Sequence, residues 1–369
     1  MKNKALIPLL VALLLVIGLY ALRFSLPVPA ETPLTAVAPS VGIARFFNGV
    51  QSEALEGLTV VKKIYRLPED TLVAPKPRED GYLHTSDRAQ VLALIDEAAE
   101  LIGERDVVFD ENTDFLTQYG VDCYRDDSIL TLVWSENRKD QYGMDVTLTF
   151  SEVFLADASQ FRRKLACDEY GVGIHKFPSD MALEVNAVLA TSGDFYRFRP
   201  CGINVYQRQL YRCDGEKVDT CWIDEGGNLL FTRAGEIMDT AAAEAFIADN
   251  NILFTLSFGP VMIENGANVV PDWYYLGELN LPYSRACIAQ DGELHYLLCM
   301  IKDFVTVSTA ADWMVEKGVE RCFALDGGQT GTVVMRGTML NPSVYGLGNA
   351  AQRIQSDIIY FATAIPENE

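Results

Sequence analysis

Histidine is scarce and positive charge is in short supply. His84, His175 and His295 lie far apart and no Cys-x-x-Cys pair occurs, so a Cys/His zinc site has no ligand spacing to build on. Lys plus Arg total 30 against 51 Asp plus Glu, a net charge of −21. Phosphate backbones are bound by clustered cations, so a nucleic-acid partner is excluded, and the acidity reads as solubility. No G-x-S-x-G stretch is present to form a serine nucleophile elbow. The Lys-Ser/Thr ending of a Walker A loop and the alternating acids of an EF-hand are missing too. Internal repeats, low-complexity blocks and long charge runs are lacking. What remains is 369 residues, 49% of them hydrophobic, enough for one large domain or two unequal ones.

The longest uncharged run is N-terminal. Lys2 and Lys4 precede Ala5–Leu22, and Arg23 closes it. At ~1.5 Å per residue the run makes about 27 Å of helix, close to a bilayer's hydrocarbon thickness. It outlasts a typical signal-peptide core, although Val28-Pro29-Ala30 also reads as a cleavage site. Anchor and cleaved signal both place the remainder outside the membrane, with the basic flank on the cytoplasmic side. The expected organisation is a cytoplasmic tip and transmembrane anchor at 1–23 and a stalk at 24–40. An accessory region at 41–140 and a main domain at 141–369 follow.

All eight cysteines lie beyond the anchor, which permits disulfides; Cys213 and Cys221 could close a short loop near Cys201. Cys299 and Cys322 sit in apolar runs where a free thiol is a small hydrophobe. Helical spacing of Val91, Leu94, Ile95, Ala98, Leu101 and Ile102 predicts a helix capped by Ser86 and stopped by Gly103. Short helices are expected at 158–165 and after Ser179, and longer ones at 239–249 and from Ser308 or Thr309 to Lys317. β-type runs at 129–134, 144–155, 201–206, 218–223, 228–232, 252–257, 261–263, 285–289, 294–301 and 357–363 outnumber them. The fold class read from this is α+β, with mixed β-sheets and a few packed helices.

Glu320–Met335 is the stretch the rest is organised around. The apolar run Cys322-Phe323-Ala324-Leu325 meets Asp326, then Gly327-Gly328-Gln329-Thr330-Gly331, then Thr332-Val333-Val334-Met335. Strand, glycine turn and strand is the plain reading, and a ligand-free Asp-Gly hairpin is its simplest form. The alternative is a site: one carboxylate at a strand end beside backbone amides that no side chain shields. Two other segments combine turns with convergent polar groups. One is Ser192-Gly193-Asp194-Phe195-Tyr196-Arg197-Phe198-Arg199, and the other is Ser284-Arg285-Ala286. Arginines beside a carboxylate suit an anionic sugar derivative.

Together these segments resemble the phosphodiester glycosidase family. The likeness spans about Asp145 to Thr363 and keeps motif order: Ala190–Tyr196, Phe258-Gly259-Pro260, Ser284–Cys287, Leu325–Thr330, and Arg353 before Asp357–Tyr360. Ser192, Ala286, Ile301-Lys302-Asp303 and Gln329 depart from the family's usual residues. The resemblance implies a hydrolase that frees a sugar from a sugar-1-phosphodiester on an envelope or exopolysaccharide glycan. Asp326 and Asp194 would be its catalytic carboxylates. Arg285, with Arg197 and Arg353, would hold phosphate, and Gly193, Gly327, Gly328 and Thr330 would border the substrate. The departures motivate a second reading, a glycan-binding or assembly protein without turnover. No cofactor is called for, although a divalent cation held by Asp194, Asp326 and backbone oxygens stays open, since such sites have no linear signature.

Overall fold

The computed structural model describes residues 65–68, 71–109, 119–171, 173–194, 196–276, 279–341 and 352–365. It also describes a short strand pair, Ala54–Leu55 and Leu58–Thr59. The expected anchor and stalk lie outside the described residues, among which no helix is long and apolar enough to cross a membrane.

A nine-stranded sheet forms the centre. From one edge its strands run Ala267–Asn268, Val261–Glu264, Arg321–Leu325, Tyr283–Gln290, His295–Val305, Asp145–Leu155, Ile129–Lys139, Val121–Asp126 and Tyr82–Thr85, every pair antiparallel. Side chains alternate between its faces. Cys287, Ala289, Cys299 and Cys322 enter one core, whereas Ala286, Ile288, Met300 and Phe323 enter the other. Burial on both faces explains why these strands read as near-continuous apolar runs. The division expected at 140/141 falls in the turn between Ile129–Lys139 and Asp145–Leu155, which pair along their whole length. The upstream region therefore shares its main sheet with the domain that follows.

A five-stranded sheet packs on one face, ordered Thr338–Met339, Val333–Met335, Leu189–Ser192, Asp357–Phe361 and Phe161–Leu165. Phe161, Phe361 and Tyr296 join the two sheets, with Phe161 stacked 4.8 Å from Phe361. Helix Pro178–Glu184 covers the outer side of the smaller sheet through Met181 and Ala182. Helix Val307–Glu316 and the helical stretch Arg88–Ile102 cover the outer side of the larger. A three-stranded sheet, Leu229–Thr232, Thr220–Asp224 and Ile252–Leu256, carries helix Thr240–Asn250. The α+β expectation, mostly sheet with few helices, describes this architecture.

Several local expectations change. Residues 158–165 are not a helix. A single 3-10 turn, Ala158–Gln160, closed by reciprocal capping of Asp157 and Gln160, leads into strand Phe161–Leu165. Pairing with Asp357–Phe361 overrides the local helical pattern. Asp87, not Ser86, caps Arg88–Glu97, and Thr306 caps Val307–Glu316. Ser179 lies inside its helix, whose start is set by Pro178 in the first position. The eight cysteines are free. Cys213 and Cys221 do not pair because Cys221 faces the core between the large sheets while Cys213 packs on the separate cluster around Trp222.

Candidate active site

The Asp326 segment is not a hairpin. Arg321–Leu325 belongs to the nine-stranded sheet, whereas Val333–Met335 pairs with Leu189–Ser192 in the five-stranded sheet. The glycine-rich residues therefore carry the chain from one layer to the other and open the layers where Asp326 emerges. A 3-10 turn, Gly328–Thr330, makes the crossing. The buried Thr330 hydroxyl holds it by donating to the carbonyls of Asp326 and Gly327. Gly327 has to be glycine: a Cβ there would stand 2.5 Å from the Ser284 carbonyl oxygen and 2.9 Å from Arg285 Cα. That close approach brings the second and third sequence segments together, since Ala286 pairs with Leu325.

Above this crossing lies a cavity of about 360 Å³. Asp326, Gly327, Gly328, Arg285, Arg353 and Arg199 line it, with Phe258, Tyr274 and Tyr283 as apolar walls. Asp326 is the only carboxylate among the described lining residues. Burial pushes its carboxyl up to about 7, against the opposing pull of the Thr330 hydroxyl, Arg199 and Arg353; Asp194 adds to the rise. It therefore exchanges its proton near neutrality, as an acid or base in such a pocket must. The arginines are braced by their neighbours. Arg199 lies 4.3 Å over the Phe258 ring, and Arg353 lies 5.6 Å from the Phe198 centroid. Arg285 donates through Nε to the Val305 carbonyl at 3.0 Å and through Nη2 to that of Leu281 at 2.6 Å.

Asp194 and Gly193 stand behind the cavity, not in its wall. Asp194 is 4% exposed, and its Oδ2 accepts from the Ser257 amide at 2.9 Å and from Asn204 Nδ2 at 3.3 Å. Its own amide donates to Asp357 Oδ2 at 3.0 Å. Asp357 in turn takes Arg163 Nε at 2.7 Å, a pair with both side chains fully buried. Burial raises Asp357 to about 6, while Arg163 pulls it back. Gly193 is required by this packing, because a Cβ would meet Asp357 Oδ2 at 2.3 Å. These two residues are thus positioned as supports.

Arg197 also turns away from Asp326: it pairs with His175 and stacks over Phe198 at 4.7 Å. Arg199, two residues on, takes the place in the cavity. Spacing alone could not choose between two arginines flanking one aromatic. Asp357 and Arg163 were not singled out either, since a buried ion pair in strands looks like ordinary polar alternation. Among the described residues, no group of three or more His, Cys, Asp or Glu side chains is arranged to hold a metal ion.

The fold and the site define an α+β protein built on two large packed sheets, with an arginine-lined cleft over one buried carboxyl. Residues 185–361 match the family model described as phosphodiester glycosidase, the family that the motifs resemble. Among solved structures it is similar to the catalytic domain of zebrafish N-acetylglucosamine-1-phosphodiester alpha-N-acetylglucosaminidase, auto-inhibited by its pro-peptide. That likeness has 12% identity and a TM-score of 0.54, over 64% of this chain and 84% of the other. A hypothetical protein from Synechocystis is similar at 14% identity and a TM-score of 0.48, over 65% of this chain and 63% of that one. No curated protein matches the chain.

Proposed function

We propose that the protein is a phosphodiester glycosidase, hydrolysing the bond between a sugar's anomeric carbon and a phosphodiester. The supporting observation is the ratio of charges in the cavity: one carboxyl against Arg199, Arg285 and Arg353. Ordinary glycosidases set two carboxyl groups about 5–10 Å apart, one of them to protonate a poor alkoxide leaving group. A phosphate monoester already leaves well, so the second acid can be dispensed with while cationic clamping gains importance. In this reading the ionised Asp326 takes a proton from water as the water oxygen bonds to the anomeric carbon. The carbon–oxygen bond to phosphate breaks with its electron pair, and the phosphomonoester departs against the arginines. Asp326 then releases its proton to solvent.

The substrate would be a glycan of the cell envelope or an exopolysaccharide. The protein would act outside the membrane, anchored through Ala5–Leu22. The test uses an N-acetylglucosamine-α-1-phosphodiester, following free sugar and phosphomonoester. We expect kcat/KM to rise with pH through a midpoint near 7, the value to which Asp326 is raised, and the limb to vanish in Asp326→Asn. A falling limb at that pH would make Asp326 the acid instead. Binding without release would favour the glycan-binding reading that the departures at Ser192, Ala286 and Gln329 suggest.

A further inference from the structure

Beside the catalytic cavity lies a second groove of about 230 Å³, lined by Tyr170, Tyr196, Arg197, Phe198 and Arg212, and sharing Arg199 with the first. The chain carries a net charge of −21, yet no acidic side chain is among the described residues lining this groove. Stacked rings build its wall: Tyr170 lies 4.7 Å from Tyr196 at 15°, and outside the lining Tyr211 backs Tyr170 at 4.7 Å and 27°. Phe198 in the lining is 41% exposed, so apolar ring surface is offered to solvent rather than buried in a core.

Among the described residues, two donors in the lining have no hydrogen-bond partner. Arg212 is held by the carbonyls of Gly202, Tyr196 and Arg199 through Nε and Nη1, while its buried Nη2 has no partner. Tyr196 is 3% exposed, and its hydroxyl has no hydrogen-bond partner among the described residues. A buried donor without an acceptor is destabilising, and a ligand anion would relieve both.

We propose that this groove is a subsite for the phosphate-bearing half of the substrate and that it takes one acidic saccharide ring. The inference rests on the hydrolase reading above for the identity of that half. The ring's C–H face would lie on the exposed aromatics, and its carboxylate or phosphate would meet Arg197 and the spare donors of Arg212 and Tyr196. Arg199 borders both spaces, so a phosphodiester seated over Asp326 directs its leaving half into the groove.

The experiment titrates the full chain, by calorimetry, with methyl glucuronide and mannose 6-phosphate, and with methyl glucoside as the neutral control. We expect saturable binding of an acidic probe, weakened about tenfold by Arg197→Ala and by Tyr170→Ala, retained by Tyr170→Phe and unchanged in Asp326→Asn. Equal binding of the neutral control, no binding of either acid, or a Kd indifferent to Arg197→Ala would overturn the proposal. Arg197 is only part-buried, so its variant decides the matter even where Tyr170→Ala fails to fold. Failure of the hydrolase reading is separate: absent turnover of the model phosphodiester, with groove binding intact, would remove the reaction and leave the subsite.

Discussion

Asp326 and Asp194 are both carboxylates just beyond a strand, and both lie beside glycine. Their surroundings divide them. Asp326 opens onto a cavity and meets its arginines across it, so water removal dominates and raises its proton affinity to about 7. Asp194 is enclosed, with an amide and an asparagine already spent on one oxygen. A carboxylate with one oxygen already held by two protein donors is more constrained than one that lines a cavity. The same sequence signature therefore serves two purposes, separated by what packs around it.

The comparison is broken most severely by Asp326→Asn. Turnover of the model phosphodiester should fall about 10²–10⁴-fold with the fold intact, measured as kcat alongside circular dichroism. Damage around Asp194 should appear in stability instead. Arg163→Met leaves Asp357 buried and unpaired, and the loss should be about 3–5 kcal/mol, read from urea midpoints. Similar stability in that variant would mean the pair is not a foundation of the Asp194 segment. Arginine position sharpens the contrast further. Arg199→Ala should cost about 10²-fold in kcat/KM on a phosphodiester with a methyl leaving half, whereas Arg197→Ala should stay within about threefold.

A further prediction concerns pH and stability. Asp326 holds its proton up to about 7 in the folded chain, against about 3.9 when unfolded. Between those values the folded state binds more protons, so stability falls as pH rises from about 4 to about 7. Asp326→Asn should flatten that fall, giving a higher Tm than wild type at pH 8 and little difference at pH 4. An identical pH slope in both proteins would remove the buried-carboxyl account.

Much of the site was legible because short motifs are local. Phe258-Gly259-Pro260, Ser284–Ala286 and Leu325–Thr330 all contribute to the cavity wall. Their convergence was not legible. Leu325 and Val333 look like the two arms of a hairpin, and only their partners, Ala286 for one and Thr191 for the other, assign them to different sheets. Residues 161–165 misled for a related reason: the local pattern suits a helix, but Asp357–Phe361 supplies a ladder that holds Arg163 beneath Asp194.

Composition, charge and motif order by themselves determined the α+β class, the resemblance to the phosphodiester glycosidase family and the choice of Asp326 as the candidate carboxylate. Those properties depend on residue type and short-range spacing, which the chain carries wherever it goes. The tertiary structure alone decided which arginine faces Asp326, that Asp194 is buried, and that residues 82–139 share the central sheet. Each of these depends on pairing and desolvation between segments far apart in the chain. Such contacts are energies of assembly, and no single segment contains them.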